Sequence, residues 1–275
     1  DPVNKVEIPL AKSLAEKVVG LISAVYPQLL GTGVSERIIE LEEEHGKLDP
    51  AVCLQIAEEV AKQKYCKFES VMEAIDAGAR LGFAYVTLGV VSSPIEGLTE
   101  IKLLKTKDGK EYFSPYYSGP VRSAGGTGAA FSLVIIDHLR EVFGYAKYDP
   151  TEEEINRMVT ELTDYNERVT NLQYMPSVEE IKLLAKKIPI QVNGEASEKI
   201  EVSNYKNLPR VDTDFIRSGV CLTFGEGLAQ KAPKIKRYIK SLREKGFKLT
   251  DWDFLDEYME LHEKQESGES EGDES

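Results

Sequence analysis

The sequence predicts a mainly α-helical, α+β fold: a helical bundle that carries a hairpin and short strands. Over most of the chain, apolar residues recur at intervals of three and four, the period of an amphipathic helix. One stretch, residues 101–117, instead contains two β-rich runs joined by the tight-turn pair Asp108-Gly109. Capping residues and proline or glycine breaks separate the helical segments at short intervals, as in a compact bundle.

Residues 1–92 are predicted to form an N-terminal helical region with four helices. In the first helix, apolar residues repeat at helical spacing from Leu14 to Leu29, before two glycines break the pattern. Ser35 is the predicted cap of a second helix over 36–44. Asp49 before Pro50 predicts a third, since proline suits the first helical position. A longer helix is expected over about 69–89.

Residues 93–265 are predicted to form an α+β region that packs with the first as one unit. The second hairpin strand leads into a glycine-rich loop, and a helix follows from about residue 129 to 143. Asp149 is the predicted cap of a helix reaching about residue 173, and Ser177 with Glu180 matches a capping box. The remaining predicted elements are short strands at 188–192, 199–202 and 219–224 and helices at 226–246, kinked at Pro233, and 251–263.

Composition excludes several classes of protein. No stretch approaches the roughly 20 consecutive apolar residues of a membrane span, and no basic-then-apolar signal opens the chain, so we expect no membrane partner and a cytoplasmic location. The three cysteines form no CxxC pair, and the three histidines are isolated. This pattern favours a reducing compartment and predicts neither a disulfide framework nor a metal site or cofactor in this chain.

The net charge of −13 conceals a strongly basic segment. Residues 266–275 hold five acids and no base, and we expect them to form a disordered acidic tail. Residues 231–248 hold eight bases and one acid. Neutralisation of phosphates by such side chains gives sequence-independent affinity for DNA, although an exposed helix with merely solvated lysines is the alternative. The predicted DNA-contacting residues of this helix are Lys231, Lys234, Lys236, Arg237, Lys240 and Arg243.

The glycine-rich loop at 119–128 is the second candidate site. Glycines let backbone amides approach an anion, and a following helix N-terminus favours negative charge. The segment nevertheless lacks the lysine of a P-loop and the third glycine of a dinucleotide fingerprint. The alternative is a tight connection in which glycines allow two elements to pack closely. The candidate residues are Arg122 for DNA and, for the loop, Ser118, Gly119, Gly125, Gly126 and Thr127.

Two Asp-x-Asp pairs are possible magnesium ligands, Asp212 with Asp214 and Asp251 with Asp253. The pattern is short and common, and both pairs occur where turns or helix caps are expected. No nucleophile elbow, HExxH motif or kinase signature accompanies them. The capping interpretation is therefore preferred, and no catalytic residue is assigned.

Five stretches together resemble the N-terminal region of the large subunit of archaeal D-family DNA polymerase. They are SPIEG at 93–97, YYSGPVRSAGGT at 116–127, LQYMP at 172–176, GEASEKIEV at 194–202 and GLAQKA at 227–232. The resemblance implies a replicative nucleotidyltransferase built from this large subunit and a small exonuclease subunit. It also implies that the magnesium-binding aspartates belong to double-psi barrels beyond this chain, whose own role is assembly and DNA contact.

The resulting hypothesis is a non-catalytic DNA-binding and subunit-assembly module of a replicative DNA polymerase. Arg122 and the loop glycines would contact the template-primer backbone or dock against the rest of the large subunit. An amphipathic helix such as 251–263 is a candidate face for a homodimer. Two alternatives stay open: a nucleotide-binding enzyme that uses the 119–128 loop, and a purely structural assembly domain without affinity for DNA.

Overall fold

The computed structural model describes residues 13–272, with side chains described to residue 268, and confirms a mainly α fold with a small sheet. No helix in this described part is long and apolar enough to cross a membrane. The helices are α1 (Leu14–Ser23), α2 (Val34–His45), α3 (Pro50–Ala61), α4 (Val71–Val86), α5 (Gly125–Phe143), α6 (Glu152–Arg168), α7 (Val178–Lys187), α8 (Ser218–Cys221), α9 (Gln230–Glu244) and α10 (Phe254–Gly272).

Polar caps start several helices where the sequence predicts them. The Asp49 side chain accepts a hydrogen bond from a backbone amide in the first turn of α3, as the Ser70 hydroxyl does at α4. At α7 the predicted capping box is confirmed, since Ser177 and Glu180 satisfy each other's amides. Each cap supplies an acceptor to an amide that has no partner within the helix.

Two predicted caps are wrong. α2 begins one residue before Ser35 and follows Gly33, which has a φ of 92° and makes no side-chain cap. α6 is capped by Thr151 rather than by Asp149. The Asp149 carboxylate instead accepts a hydrogen bond from the backbone amide of Lys107, at 2.8 Å. It therefore ties the hairpin turn to the start of α6, a long-range contact that local spacing does not reveal.

Some predicted helix ends also differ. α1 ends at Ser23, and a separate helical turn, Pro27–Leu29, covers the rest of its predicted length. α6 ends at Arg168, five residues before the predicted end at 173. Apolar periodicity continues through such breaks because turn residues also pack into the core, so periodicity alone overestimates helix length.

The predicted hairpin is confirmed and forms most of a three-stranded sheet. β1 (Leu98–Lys105) pairs antiparallel with β2 (Glu111–Tyr117), and Gly109 takes a φ of 84° in the turn. β3 (Asn193–Gly194) pairs parallel with the end of β2. The sheet presents the end of β2 next to the glycine-rich segment, because Tyr117 leads directly into the helical turn Gly119–Ala124.

The other predicted strands form only partly or not at all. Residues 188–192 precede β3 without forming a strand, and residues 199–202 contribute a single bridge from Glu201 to Phe215. The strand predicted at 219–224 is wrong, since α8 and the π-helical turn Leu222–Ala229 occupy this position. Gly219 lies so close to the backbone of Tyr117 that a Cβ atom would collide with it. The close contact with β2 therefore requires a residue without a side chain at this position.

One hydrophobic cluster extends from Ala15 in α1 to Tyr258 in α10 and includes residues from both predicted regions. α5 is central to it: every residue from Gly128 to Arg140 is buried, and the helix contacts α3, α4 and α9. The boundary at residue 92 stays a prediction, since the shared core gives no break at that point.

The last helix differs from its predicted range of 251–263. α10 continues to Gly272, and hence into the segment 266–275 for which disorder is predicted; residues 273–275 lie outside the described part. A helix anchored by packing extends into a polar segment at low cost, because adding residues to an existing helix is easier than nucleating one. Its apolar residues Trp252, Leu255 and Tyr258 are buried within this chain, so they offer no free face for self-association.

Candidate nucleic-acid interface

The glycine-rich segment is helical rather than an open loop. The turn Gly119–Ala124 is followed at once by α5, which starts at Gly125, four residues before its predicted start. Gly125 joins the two with a φ of 74°, a conformation that glycine adopts readily. Ala124, at the cap position, makes no side-chain cap. The first-turn amides of α5 therefore have no capping side chain, while the helix dipole favours an anion there.

Gly126 allows two elements to pack closely, as in the alternative interpretation of this segment, whereas a Cβ on Gly125 would meet no described atom within 4 Å. A Cβ on Gly126 would collide with the carbonyl oxygen of Glu226 and lie 3.0 Å from Cε of Lys231. A Cβ on Gly119 would lie 3.4 Å from Oγ of Ser218, an ordinary contact. The Ser118 hydroxyl donates to the carbonyl of Glu96, which fixes the start of the turn. With these residues in contact with it, the glycine segment does not form an open loop that could surround an anion.

α9 separates its apolar and basic side chains as predicted. Its buried residues, Ala232, Ile235, Ile239 and Leu242, lie on the face that packs against the core. Lys231 is partly buried, whereas the other five predicted DNA-contacting residues of the helix are exposed. Pro233 lies inside a helical stretch, because the π-helical turn Leu222–Ala229 runs directly into α9. Its missing amide proton leaves the carbonyl of Ala229, four residues earlier, to accept a hydrogen bond from the Tyr258 hydroxyl at 2.9 Å.

The cations of α9 differ in their partners. Lys236 Nζ lies 2.8 Å from Oδ1 of Asp256, and Arg243 Nη1 lies 2.8 Å from Oδ1 of Asp253. Arg237 and Lys240, by contrast, have no carboxylate within 4.0 Å in the described part of the chain. The two unpaired cations and Lys234 are therefore better placed to meet an external anion than the two that α10 neutralises.

The structure brings the two candidate sites together. Lys231 lies along Gly126, and Lys234 and Thr127 line the same cavity of about 300 Å³. Lys234 Nζ is also 5.8 Å from the centre of the Tyr238 ring. The cationic start of α9 thus borders the uncapped start of α5, although the two are about a hundred residues apart in sequence.

Arg122 projects from the turn that precedes α5. Its side chain is exposed and lies near the hydroxyl of Tyr165 in α6. Burial raises the pKa of Tyr165, and the neighbouring guanidinium only partly opposes that rise. Arg122 is therefore a surface cation on the glycine segment.

Comparison with known proteins places this architecture in a family. The family model described as "DNA polymerase II large subunit DP2, N-terminal" matches residues 1–261. The chain belongs to this family. The resemblance inferred from the five sequence stretches is thereby confirmed.

Several curated relatives are named DNA polymerase II large subunit. The chain is 46% identical to that of Nanoarchaeum equitans over 96% of its own length and 21% of the relative's. It is 42% identical to that of Methanosarcina barkeri, over 93% of this chain and 21% of the relative. The chain is 37% identical to the large subunit of Thermococcus kodakarensis, over 100% of this chain and 15% of the relative. The chain therefore spans about a fifth of such large subunits.

The four aspartates of the Asp-x-Asp pairs are engaged within this family domain. Asp212 accepts from the Tyr116 hydroxyl at 2.7 Å, and Asp214 accepts from a backbone amide. Asp251 pairs with Arg140 and Asp253 with Arg243. Within residues 13–272, no group of three or more His, Cys, Asp or Glu side chains is placed to hold a metal ion.

Sequence reasoning missed the wall of the cavity beside Lys234. Leu48 and Leu88 line it, and both are exposed leucines with left-handed backbone, at φ values of 66° and 63°. Non-glycine residues adopt this region rarely. Leucine carries no sequence signal for such a conformation, so only the three-dimensional structure identifies these two residues.

Proposed function

We propose that this chain is the non-catalytic N-terminal domain of a replicative DNA polymerase large subunit and that it binds the phosphate backbone of DNA. The supporting observation is the surface where Lys231 and Lys234 of α9 border the uncapped start of α5. Lysines and the positive end of a helix dipole both suit phosphate oxygens. We give the name cationic face to these two lysines together with Arg122, Arg237 and Lys240. Within this set Lys240 lies toward α10, in a groove that it lines with Lys236 and Arg243.

The charges of the cationic face are available because most of them lack an internal partner. Among the described residues, Arg237 and Lys240 meet no carboxylate within 4.0 Å, whereas Lys236 pairs with Asp256 and Arg243 with Asp253. The chain as a whole is acidic, with a net charge of −13. A local excess of cations therefore orients the protein so that this surface faces a polyanion. Binding by this face is expected to be insensitive to sequence and sensitive to salt.

The test is a fluorescence-anisotropy titration of a primer-template duplex at several salt concentrations. We compare the chain with the triple variant Lys234→Gln, Arg237→Gln, Lys240→Gln. Each phosphate contact contributes about 0.9 to the slope of log K against log salt. Loss of three contacts should therefore reduce the slope by about 2.7 and weaken binding most at low salt.

A matched control removes the same charge elsewhere. Lys182, Lys186 and Lys187 are exposed on α7, outside the cationic face. Their triple substitution by Gln should change the slope of log K against log salt by less than about 0.9, the contribution of one phosphate contact. Equal losses in both variants would show that only net charge matters and would reject the cationic face. Absence of any salt-sensitive binding by the folded parent chain would favour a purely structural assembly domain.

We further propose that the domain assembles with the rest of its large subunit and with a small exonuclease subunit, and that it can form a homodimer. The relatives' printed name, large subunit, fits such a complex. Large apolar side chains are exposed outside the cationic face, including Leu30 at 61% and Val90 at 69%. Sedimentation of the chain over a range of concentrations tests the homodimer, since a monomer at all concentrations would reject it.

Polymerase activity and its magnesium are proposed for the remainder of the large subunit rather than for this chain. Catalytic aspartates must be free to hold the metal, whereas those of the Asp-x-Asp pairs here accept hydrogen bonds or ion pairs from their own domain. The nucleotide-binding alternative is less favoured, because Gly126 packs directly against Glu226 and Lys231. Binding of ATP or a deoxynucleoside triphosphate to the glycine segment would reverse that preference.

A further inference from the structure

The cavity beside Lys234 has an unusual composition. It lies between the starts of α3 and α5, the end of α4 and the first turns of α9, with a volume of about 300 Å³. Of the residues that the structure describes, no acid lines it, and Lys234 is its one charged side chain. Apolar and aromatic side chains form the remainder of the wall, including Leu48, Leu88, Phe131 and Tyr238. A volume near 300 Å³ lies at the lower end of the range for small-ligand sites.

Two residues of the wall are held in a conformation that a leucine does not favour. Leu88 follows the end of α4 with a φ of 63°, a position where helices commonly place glycine. Leu48 has a φ of 66°, and its amide donates a hydrogen bond of 2.8 Å to the Tyr85 hydroxyl. Their side chains are 55% and 43% exposed for Leu48 and Leu88, so core burial does not account for them. Strain of this kind concentrates at ligand sites.

We propose that this cavity takes one unstacked nucleobase of single-stranded DNA, with the adjoining phosphate at Lys234. The inference rests on the proposed DNA binding and adds the part of the nucleic acid that is recognised. A base offers a flat apolar surface for Leu48, Leu88 and the Tyr238 ring, while its phosphate meets the cation at the rim. Aromatic side chains that stack on bases, next to cations that follow the backbone, are typical of single-strand binding.

The charge of the wall favours a nucleotide over an apolar side chain from a protein partner. A purely apolar occupant gains nothing from a lysine at the rim, and that lysine would lose part of its hydration. Lys234 also belongs to the cationic face, so the phosphates on either side of the bound base continue toward Arg237 and the start of α5. A single strand can therefore occupy both features at once.

The experiment separates base contact from phosphate contact. Anisotropy competition compares an oligothymidylate with an oligomer of equal length that carries abasic spacers and the same number of phosphates. We expect the oligothymidylate to bind at least about fivefold more tightly, since stacking of one base contributes that much, with the same salt slope for both.

Two variants assign the difference to the cavity. Leu48→Gly with Leu88→Gly removes the apolar wall and suits the left-handed backbone, so the fold should be retained. Ala124→Leu instead fills the cavity from its rim. If one stacked base accounts for the difference in affinity, each variant should bind the two oligomers with affinities within about twofold of each other. Asn207→Gly is the control, because Asn207 also has a left-handed φ, of 57°, and does not line the cavity.

The outcomes distinguish this inference from the proposed function. Equal affinity of the parent chain for both oligomers, with salt-sensitive binding retained, would overturn the nucleobase site and leave the phosphate contacts standing. That result would also be expected if a protein side chain were the occupant. A preference for bases that persists in both cavity variants would likewise overturn it. Loss of all binding by the folded parent chain would overturn both proposals.

Discussion

Glu161 and Arg217 form an ion pair in the interior of the protein, with Arg217 Nη2 2.7 Å from Oε1 of Glu161. Their side chains are 0% and 2% exposed. Arg157, equally buried, donates from Nε to the same carboxylate at 3.0 Å. Arg217 also donates to Asn193 in β3, at 2.8 Å, so the cluster fixes the short third strand beside α6.

The first prediction concerns this buried cluster. Glu161→Gln removes the carboxylate that pairs with Arg217 and leaves Arg157 only the more distant Asp214, 3.9 Å away. Because breaking a buried pair leaves an uncompensated charge, the free energy of unfolding should fall by about 3–5 kcal/mol. Urea denaturation followed by circular dichroism measures it.

An exposed ion pair supplies the control for that substitution. Glu201 pairs with Lys206 at 2.7 Å, but the two side chains are 53% and 39% exposed. Glu201→Gln should therefore lower the free energy of unfolding by less than about 1 kcal/mol. If the two variants lost similar amounts of unfolding free energy, burial would not be the reason why the Glu161 ion pair matters for stability.

The second prediction is a loss of stability in acid. Burial raises the pKa of Glu161, but Arg217 and Arg157 outweigh it, so its pKa lies below the ordinary value of 4.5. A carboxylate whose pKa is lower in the folded state than in the unfolded one stabilises the protein above the unfolded pKa. That stabilisation should disappear as the pH falls from about 4.5 through the folded pKa.

Urea midpoints measured between pH 7 and pH 3 test this dependence. Glu59 contributes in the same direction. Burial raises its pKa, but Arg37 and the other hydrogen-bond partners of Glu59 lower it by more. The Glu161→Gln variant should lose less stability over this interval than the parent chain does. Parallel pH profiles for the two proteins would contradict the prediction.

The third prediction concerns the contact between α5 and the turn Leu222–Ala229. Gly126→Ala would place its Cβ against the carbonyl oxygen of Glu226, so the two helical segments must separate. Overpacking of this kind costs about 1–3 kcal/mol, and DNA binding should weaken because Lys231 shifts with it. Urea denaturation and anisotropy measure the two effects.

Gly20→Ala is the control for that variant. Gly20 lies within α1, and a Cβ there would meet no atom within 4 Å. Alanine should stabilise the helix by up to about 1 kcal/mol and leave DNA affinity unchanged. Destabilisation of similar size at both glycines would show that close contact at Gly126 is not the cause.

The fourth prediction ranks two lysines of the same helix. Lys236 already pairs with Asp256 at 2.8 Å, whereas Lys234 lines the cavity on the cationic face. Lys234→Gln should lower the salt slope of DNA binding by about 0.9, and Lys236→Gln by clearly less. The measurement is the anisotropy titration over a range of salt concentrations. Equal slopes for the two variants would show that the pair with Asp256 opens on binding.

The elements predicted best were those with local chemical signals. Asp108-Gly109 gave the hairpin, Asp49-Pro50 the start of α3, and Ser177 with Glu180 the capping box of α7. Each signal acts over a few residues, so the sequence alone specifies it. The strand predicted at 219–224 was wrong: a short apolar run suits a buried helix as well as a strand, and α8 with the turn Leu222–Ala229 occupies this position.

The candidate site was predicted as two separate parts. The basic residues of α9 and the glycine-rich segment were both recognised from their composition, as two separate candidate sites. Their contact through Gly126 and Lys231 depends on how α5 and α9 pack. The acids that neutralise Lys236 and Arg243 likewise come from the next helix.

The mainly α fold, several helix starts, the basic character of α9 and membership of the polymerase family followed from the amino-acid sequence alone. These properties depend on periodicity, capping and residue identity, which are local or shared with relatives. The packing of the chain, by contrast, sets which cations of α9 are paired, the contact of Gly126 with Glu226 and Lys231, and the cavity that Leu48 and Leu88 line. Such features depend on residues far apart in sequence that packing brings within a few ångströms of one another, and no local pattern encodes those contacts.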